Sequence, residues 1–288
     1  MDRHSHAHHS DRHGHGHGHT DHGHDESGLA EMLDLDAEVL GSFLDDLTEW
    51  AARRAPAEVH LVADIGAGTG TGTLALARRF PDAGLAAIDR SAVMLDRVRV
   101  ATAAAGLGDR VRTIRADLDA AWPDLDSVDV AWAALAMHEV SDPDRVLADV
   151  RAALNPGGLL VVVEMEGFPR FLPDDLGFGR TGLEARCHAA LLRAGWNAHP
   201  DWREHLEAAG FEVADQRTFA IECAATPNTA RYASTFLRRA RGVLAETRAA
   251  DDLAALDRVL GDGPDGLAGR ADLTVRGSRT AWAALRPR

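Results

Sequence analysis

From His60 to Glu164 the chain alternates between two patterns, and this rhythm limits the fold more than any other feature. Short apolar runs occupy 60–65, 84–88, 110–115, 127–133 and 158–164, with helical periodicity between them at 71–80, 91–105 and 142–154. In the last of these Val146, Leu147, Val150 and Leu154 share one face, and "NPGG" at 155–158 ends the helix by turn chemistry. Strand, helix, strand at this spacing predicts an α/β fold with a mostly parallel sheet covered by helices on both faces. Residues 167–209 read as loop and helices, 211–222 as a strand, 228–261 as two helices and 273–285 as a closing strand, which brings the expected sheet to seven strands.

The N-terminus is a different material. Ten of the 15 histidines fall in "HSHAHHSDRHGHGHGHTDHGHD", among Gly, Asp and Ser. Residues 1–27 bury too little apolar surface to offset chain entropy, and are expected to be disordered. Order should begin near Leu29, with Asp36 capping a helix in which Leu40, Phe43, Leu44 and Leu47 follow an i, i+3, i+4, i+7 pattern. The expected organisation is one domain over 28–288. It comprises N-terminal helices at 28–56, a core at 57–166 and a helical cover with the last two strands at 167–288.

Charge and cysteine content narrow the partners. The formal net charge of −14 is spread along the chain and disfavours nucleic acid or an anionic membrane. The 45% apolar content allows a sizeable core. Two isolated cysteines, Cys187 and Cys223, form neither a zinc cluster nor a disulfide framework. No signal-peptide core or run of membrane-spanning length is present, so a cytoplasmic protein is expected.

Residues 61–77, "LVADIGAGTGTGTLALA", carry the chemistry. A strand ends in an acid, four glycines follow within seven residues, and a helix begins. That places the loop at the carboxyl edge of the sheet, where glycine allows positive φ and close backbone approach to a ligand. The spacing is Gly66-x-Gly68-x-Gly70, and no register gives G-x-G-x-x-G. A P-loop is excluded because the chain has no lysine. Asp64, two residues ahead of Gly66, would disfavour a pyrophosphate and could hold an ammonium group. A ligand with a ribose and a cation, such as S-adenosylmethionine, fits.

The segment from about 58 to 166 resembles the class I S-adenosylmethionine-dependent methyltransferases, a Rossmann-like fold. "DIGAGTG" is similar to their first motif, which assigns Asp64, Gly66, Ala67, Gly68 and Gly70 to the cofactor. "AAIDRSAVML" is similar to the second. The resemblance implies that Asp89 holds the ribose hydroxyls and that Arg90 and Met94 flank the adenine. "IRADL" supplies Asp117 near the adenine amino group and Leu118 as a backbone donor. Ala133 and Ala134, ending the fourth strand, would lie under the methionine moiety. The group resembled is that of ubiquinone and menaquinone biosynthesis. This implies a small-molecule acceptor and a substrate cover formed by 27–56, 167–209 and 225–265. "GFPRFLPDDLGFG" (167–179) would be a mobile apolar lid.

A sulfonium methyl needs in-line alignment and exclusion of water, and a general base is optional. His138, just after the fourth strand, is the candidate base, its bland alternative being a histidine that packs at a helix start. Glu164 and Glu166, ending the fifth strand, are candidates for substrate contact or simply a solvated strand end. No N-P-P-Y or D-P-P-Y tetrapeptide marks an amino-methylating nucleic-acid enzyme, and two cysteines are too few for arsenite methylation. His13, His15, His17 and His19 offer weak binding to a divalent transition metal, without a fixed geometry. Two other readings stay open: a non-catalytic metal-buffering or regulatory protein with a cofactor-sensing domain, and an NAD-dependent oxidoreductase, which the glycine spacing disfavours.

Overall fold

The computed structural model describes residues 26–39, 41–196, 201–246 and 250–288. The histidine tail, and with it His13, His15, His17 and His19, lies outside the described residues. Two helices open the chain, α1 (Glu26–Val39) and α2 (Gly41–Ala52). The alternating core follows: β1 (Leu61–Ile65), α3 (Thr71–Arg79), β2 (Gly84–Asp89), α4 (Ala92–Ala104), β3 (Val111–Arg115), β4 (Val128–Ala134), α5 (Pro143–Ala153) and β5 (Leu154–Met165). Then come α6 (Leu183–Arg193), α7 (Trp202–Ala208), β6 (Glu212–Ala224), α8 (Thr229–Glu246), α9 (Ala250–Leu260) and β7 (Thr274–Leu285). Among the described residues no helix is long and apolar enough to cross a membrane.

Seven strands form one sheet in the order β3-β2-β1-β4-β5-β7-β6. The first five are parallel, and β7 runs antiparallel to both of its neighbours. Side chains alternate along each strand, yet both faces of β1, β2, β4 and β5 are dry, which explains why these strands read as continuous apolar runs. Ala63, Ile65, Ala131 and Ala133 pack on one face with Val146, Leu147 and Trp202. Val62, Val130, Trp132 and Val161 pack on the other with Leu47, Trp50 and Leu76. A third cluster fills the cover, where Phe171, Leu191, Phe236, Leu237 and Leu256 meet Ile221 of β6 and Val275 of β7. Strand order reverses between β1 and β4, which creates the crevice where open α/β sheets take ligands.

Local chemistry sets the helix starts. Ser91 Oγ accepts the Met94 N–H at 3.3 Å to cap α4. Asp142 accepts from Arg145 N at 3.1 Å ahead of Pro143, a residue suited to a first helical position. Two expectations are corrected. Asp36 does not cap a helix but sits inside α1, where its carboxylate accepts from Arg279 and from the Tyr232 hydroxyl. A carboxylate so placed is held by charge pairing, a long-range contact that local capping rules do not detect. "NPGG" does not form a free turn: α5 ends at Ala153, and the four residues make a bulge within β5. Asn155 Nδ2 donates to Asp129 Oδ1 at 2.7 Å, while Asp129 Oδ2 accepts from His60 N at 2.7 Å. This buried aspartate ties β1, β4 and β5 together at the edge opposite the crevice.

Candidate functional site

The ends of β1, β2, β3 and β4 lie side by side, in register through Ile65↔Ile88, Asp89↔Arg115 and Ile65↔Ala133. Gly66, Asp89, Asp117 and Ala134, far apart in sequence, therefore share one edge of the sheet. The glycine loop is fixed by backbone bonds, Gly66 N and Ala67 N both donating to Ile88 O at 2.9 Å. Gly66, Gly68 and Gly70 have φ of 68°, 52° and 93°, a region that glycine enters without a Cβ penalty. A Cβ on Gly66 would lie 2.5 Å from Ala136 Cβ, and one on Gly70 3.1 Å from Val98 Cα. These two glycines allow the β4 turn and α4 to approach closely. At Gly68 the nearest atom to a Cβ would be Leu33 Cδ1 of α1, at 3.2 Å. Helix α1 thus roofs the open side of the loop.

Asp89 joins the first two motifs. Its carboxylate accepts from Gly68 N at 2.9 Å and from Ser91 N at 2.8 Å, holding the glycine loop against the start of α4. Carboxylate oxygens have about four acceptor sites between them, so capacity remains for ribose hydroxyls. Asp64 is buried and accepts from Thr73 Oγ1 at 2.5 Å. Burial pushes its carboxyl up to about 6; the Thr73 hydroxyl opposes this, and the nearby Asp89 charge adds to it. Arg90 is exposed and reaches Glu139 at 3.8 Å. Met94 is buried in α4, Asp117 is exposed, and the Leu118 carbonyl accepts from Arg145. Ala133 is buried in the sheet and Ala134 half-buried at its edge.

His138 lies on a 3-10 turn, Met137–Glu139, after a left-handed Leu135. Its Nδ1 is 2.8 Å from Glu164 Oε2, and its Nε2 is 3.4 Å from Glu139 Oε1. With carboxylates at both nitrogens the ring carries both hydrogens. Burial alone would lower its pKa, but Glu139 and Glu164 outweigh that and raise it to about 10. At neutral pH such an imidazolium is a fixed cation rather than a proton acceptor. Glu164 is buried and directed at His138. Glu166 turns away, accepting from the hydroxyls of Thr280 at 2.6 Å, Ser278 at 2.9 Å and Thr218 at 3.1 Å on the neighbouring strands.

A cavity of about 360 Å³ opens beside this turn, and its walls come from α1, the β4 turn, the segment after β5 and α8. Leu33 lines it and also roofs the glycine loop, so the two spaces adjoin. The expected mobile lid is instead a packed wall. Phe168, Phe171, Leu172 and Leu176 are buried, and Glu184 of α6 accepts from Phe171 N at 2.7 Å and Leu172 N at 3.2 Å. Cys187 is fully buried, and burial pushes its thiol up to about 12, which leaves it unreactive. Among the described residues no group of three or more His, Cys, Asp or Glu is arranged to hold a metal ion.

Sequence reasoning gave Asp36 only a capping role and passed over Trp196, Tyr232, Arg239 and Arg279. One signal was available: Tyr232, Phe236 and Arg239 recur at i, i+4 and i+7, which puts an arginine on the apolar face of α8.

Residues 62–158 match the family model described as a methyltransferase domain. Trans-aconitate 2-methyltransferase of Azoarcus sp. (strain BH72) is 34% identical over 125 residues, covering 42% of this chain and 46% of that protein. Malonyl-[acyl-carrier protein] O-methyltransferase of Xylella fastidiosa (strain M23) is 34% identical over 107 residues, covering 35% of this chain and 34% of that protein. The chain thus spans between a third and a half of the length of these curated relatives. Two solved structures share the fold. One, described as a type II methyltransferase candidate from Anaeromyxobacter dehalogenans, has a TM-score of 0.55 at 22% identity, covering 84% of this chain and 94% of its own. The other, from Bacillus halodurans C-125, has a TM-score of 0.54 at 17% identity, covering 84% of this chain and 99% of its own. The matched segment is thus similar to methyltransferase domains, and the fold is one that these two structures share.

Proposed function

We propose that this class I methyltransferase domain transfers a methyl group from S-adenosylmethionine to a small-molecule acceptor by in-line displacement. One observation carries the reading: the Asp89 carboxylate fastens the glycine loop to α4 at the strand-order reversal, beside a cavity walled by another part of the chain. The residues present fit the donor. A loop without side chains offers its backbone, Asp89 retains acceptor capacity for ribose hydroxyls, and the buried Asp64 gives the loop a negative interior suited to a ligand with an ammonium group. In this reading Gly66, Ala67, Gly68 and Gly70 bound the donor, with Arg90, Met94, Asp117 and Leu118 around its adenine end. Ala133 and Ala134 lie beneath its amino-acid end.

S-adenosylmethionine, when bound, supplies a methyl already activated on a sulfonium. The chain's own work is to position the acceptor and exclude water. His138 keeps its protons between Glu164 and Glu139 and acts as a fixed cation at the junction of the two spaces. The acceptor therefore arrives with its nucleophilic atom already unprotonated, or releases its proton to solvent. The matched segment holds the glycine loop and the β4 turn, whereas the cavity walls from α1, the segment after β5 and α8 lie outside it. A single domain from residue 28 onward and a cytoplasmic location complete the reading. Nothing in the described residues favours the metal-buffering alternative.

Calorimetry with S-adenosylmethionine tests the donor site, and the absence of binding would refute the proposal. Incubation with the labelled donor and a small-molecule extract, followed by identification of the labelled product, tests the transfer itself.

A further inference from the structure

The walls of the cavity are mostly apolar, with Phe168, Trp196 and Phe236 among them, and four charged side chains line it. Three of these are already engaged. Asp36 is bound by Arg279 and Tyr232. His138 is held by Glu164, and Glu139 lies within reach of both His138 and Arg90. The fourth is Arg239 of α8. Among the described residues it forms no ion pair within 4 Å; its contacts are Met32 Sδ at 3.6 Å and the Trp196 ring, 5.4 Å from the guanidinium carbon. Burial lowers its pKa, only partly offset by the Glu139 charge, as for a cation that has lost water and gained no counter-ion. A guanidinium is a planar fork of donors whose geometric complement is a carboxylate, bound through two parallel N–H···O bonds.

We infer that Arg239 determines substrate specificity in this cavity, binding the carboxylate of a substrate whose apolar body packs against Phe168, Trp196 and Phe236. The inference rests on the methyl-transfer reading for the cavity's role, though not for its ligand chemistry. A carboxylate suits the site better than a phosphate. Arg239 supplies a single positive charge, and the other cation on the wall, His138, is already balanced by two carboxylates. The volume of about 360 Å³ is at the small end for ligand sites, which points to a compact acid.

The test uses the full chain and two matched pairs of probes, cinnamate with cinnamamide and octanoate with octanamide, with phenyl phosphate as a further arm. Binding is followed by calorimetry in the presence of S-adenosylmethionine. The acids should bind about tenfold or more tightly than their amides, because the amide leaves the guanidinium without its anion. Arg239→Met should remove that preference while the donor affinity stays unchanged, and Arg239→Lys should restore part of it. Equal binding of acid and amide, no acid binding at about 10 mM, tighter binding of phenyl phosphate, or an acid preference that survives Arg239→Met would each overturn the inference. The donor titration keeps the two readings apart. Donor binding without acid selectivity defeats only this inference. Arg239-dependent acid selectivity without donor binding defeats only the methyl-transfer reading.

Discussion

Replacing Asp36 with alanine should be among the most destabilising single changes in the cover. Arg279 Nη2 donates to both Asp36 oxygens, at 2.6 and 2.8 Å, and the Tyr232 hydroxyl donates to Oδ1 at 2.6 Å. The side chains are only 11% (Arg279) and 17% (Asp36) exposed, so solvent screens the pair weakly. The substitution leaves a guanidinium and a phenol in a dry site without their acceptor, and breaking one side of such a pair costs about 3–5 kcal/mol. At roughly 2–4 °C per kcal/mol for a chain of this size, Tm should fall by about 10 °C. Urea unfolding followed by circular dichroism gives the free energy directly. The double variant Asp36→Leu with Arg279→Met should recover most of the loss, since the cost lies in the orphaned charge and not in the missing attraction. A loss below about 1 kcal/mol for the single variant, or a double variant as unstable as the single, would refute this account of what holds α1 to the sheet.

Other outcomes follow from the same geometry. Asp89→Ala removes the acceptor for Gly68 N and Ser91 N, and donor affinity measured by calorimetry should fall about ten- to a hundredfold. Gly66→Ala places a Cβ 2.5 Å from Ala136 at a φ of 68° and should cost about 1–3 kcal/mol; adding Ala136→Gly relieves the overlap but not the backbone strain. Burial raises the Glu184 carboxyl from 4.5 to about 7, so its contribution is fully present below pH 4.5 and is lost as pH rises through 7. Glu184→Gln should remove that slope from a series of urea midpoints. His188 runs the other way: burial lowers it to about 4, so its contribution is present above 6.5 and lost as pH falls through 4, a slope that His188→Phe should abolish.

The strands and the glycine loop between β1 and α3 were legible because their information is local. A short continuous apolar run, glycine at positive φ and an acid ending β2 each leave a mark within a few residues of chain. The expected strands at 84–88 and 273–285 agree closely with β2 and β7. The cover and its cavity were not legible in the same way. Asp36 meets Arg279 across 243 residues and Tyr232 across 196, and no pattern of spacing encodes such partners. His138 was singled out as a candidate base after the fourth strand, and it does follow β4, but its charge state depends on Glu164 reaching it from the next strand. Residue type announces a titratable group, while its neighbours decide which way it titrates.

Helix α1 touches both ligand spaces at once. Leu33 roofs the glycine loop and lines the cavity, Asp34 pairs with Arg97 of α4 at 2.6 Å, and Asp36 pairs with Arg279 of β7. On the proposed methyl-transfer reading, a donor bound at the glycine loop would lie against the same helix that walls the acceptor cavity, which favours a donor that binds first and a demethylated nucleoside that leaves last. Initial-rate kinetics should then show compulsory order. A dead-end analogue of the acceptor should inhibit uncompetitively against the donor, whereas random entry would make that inhibition noncompetitive.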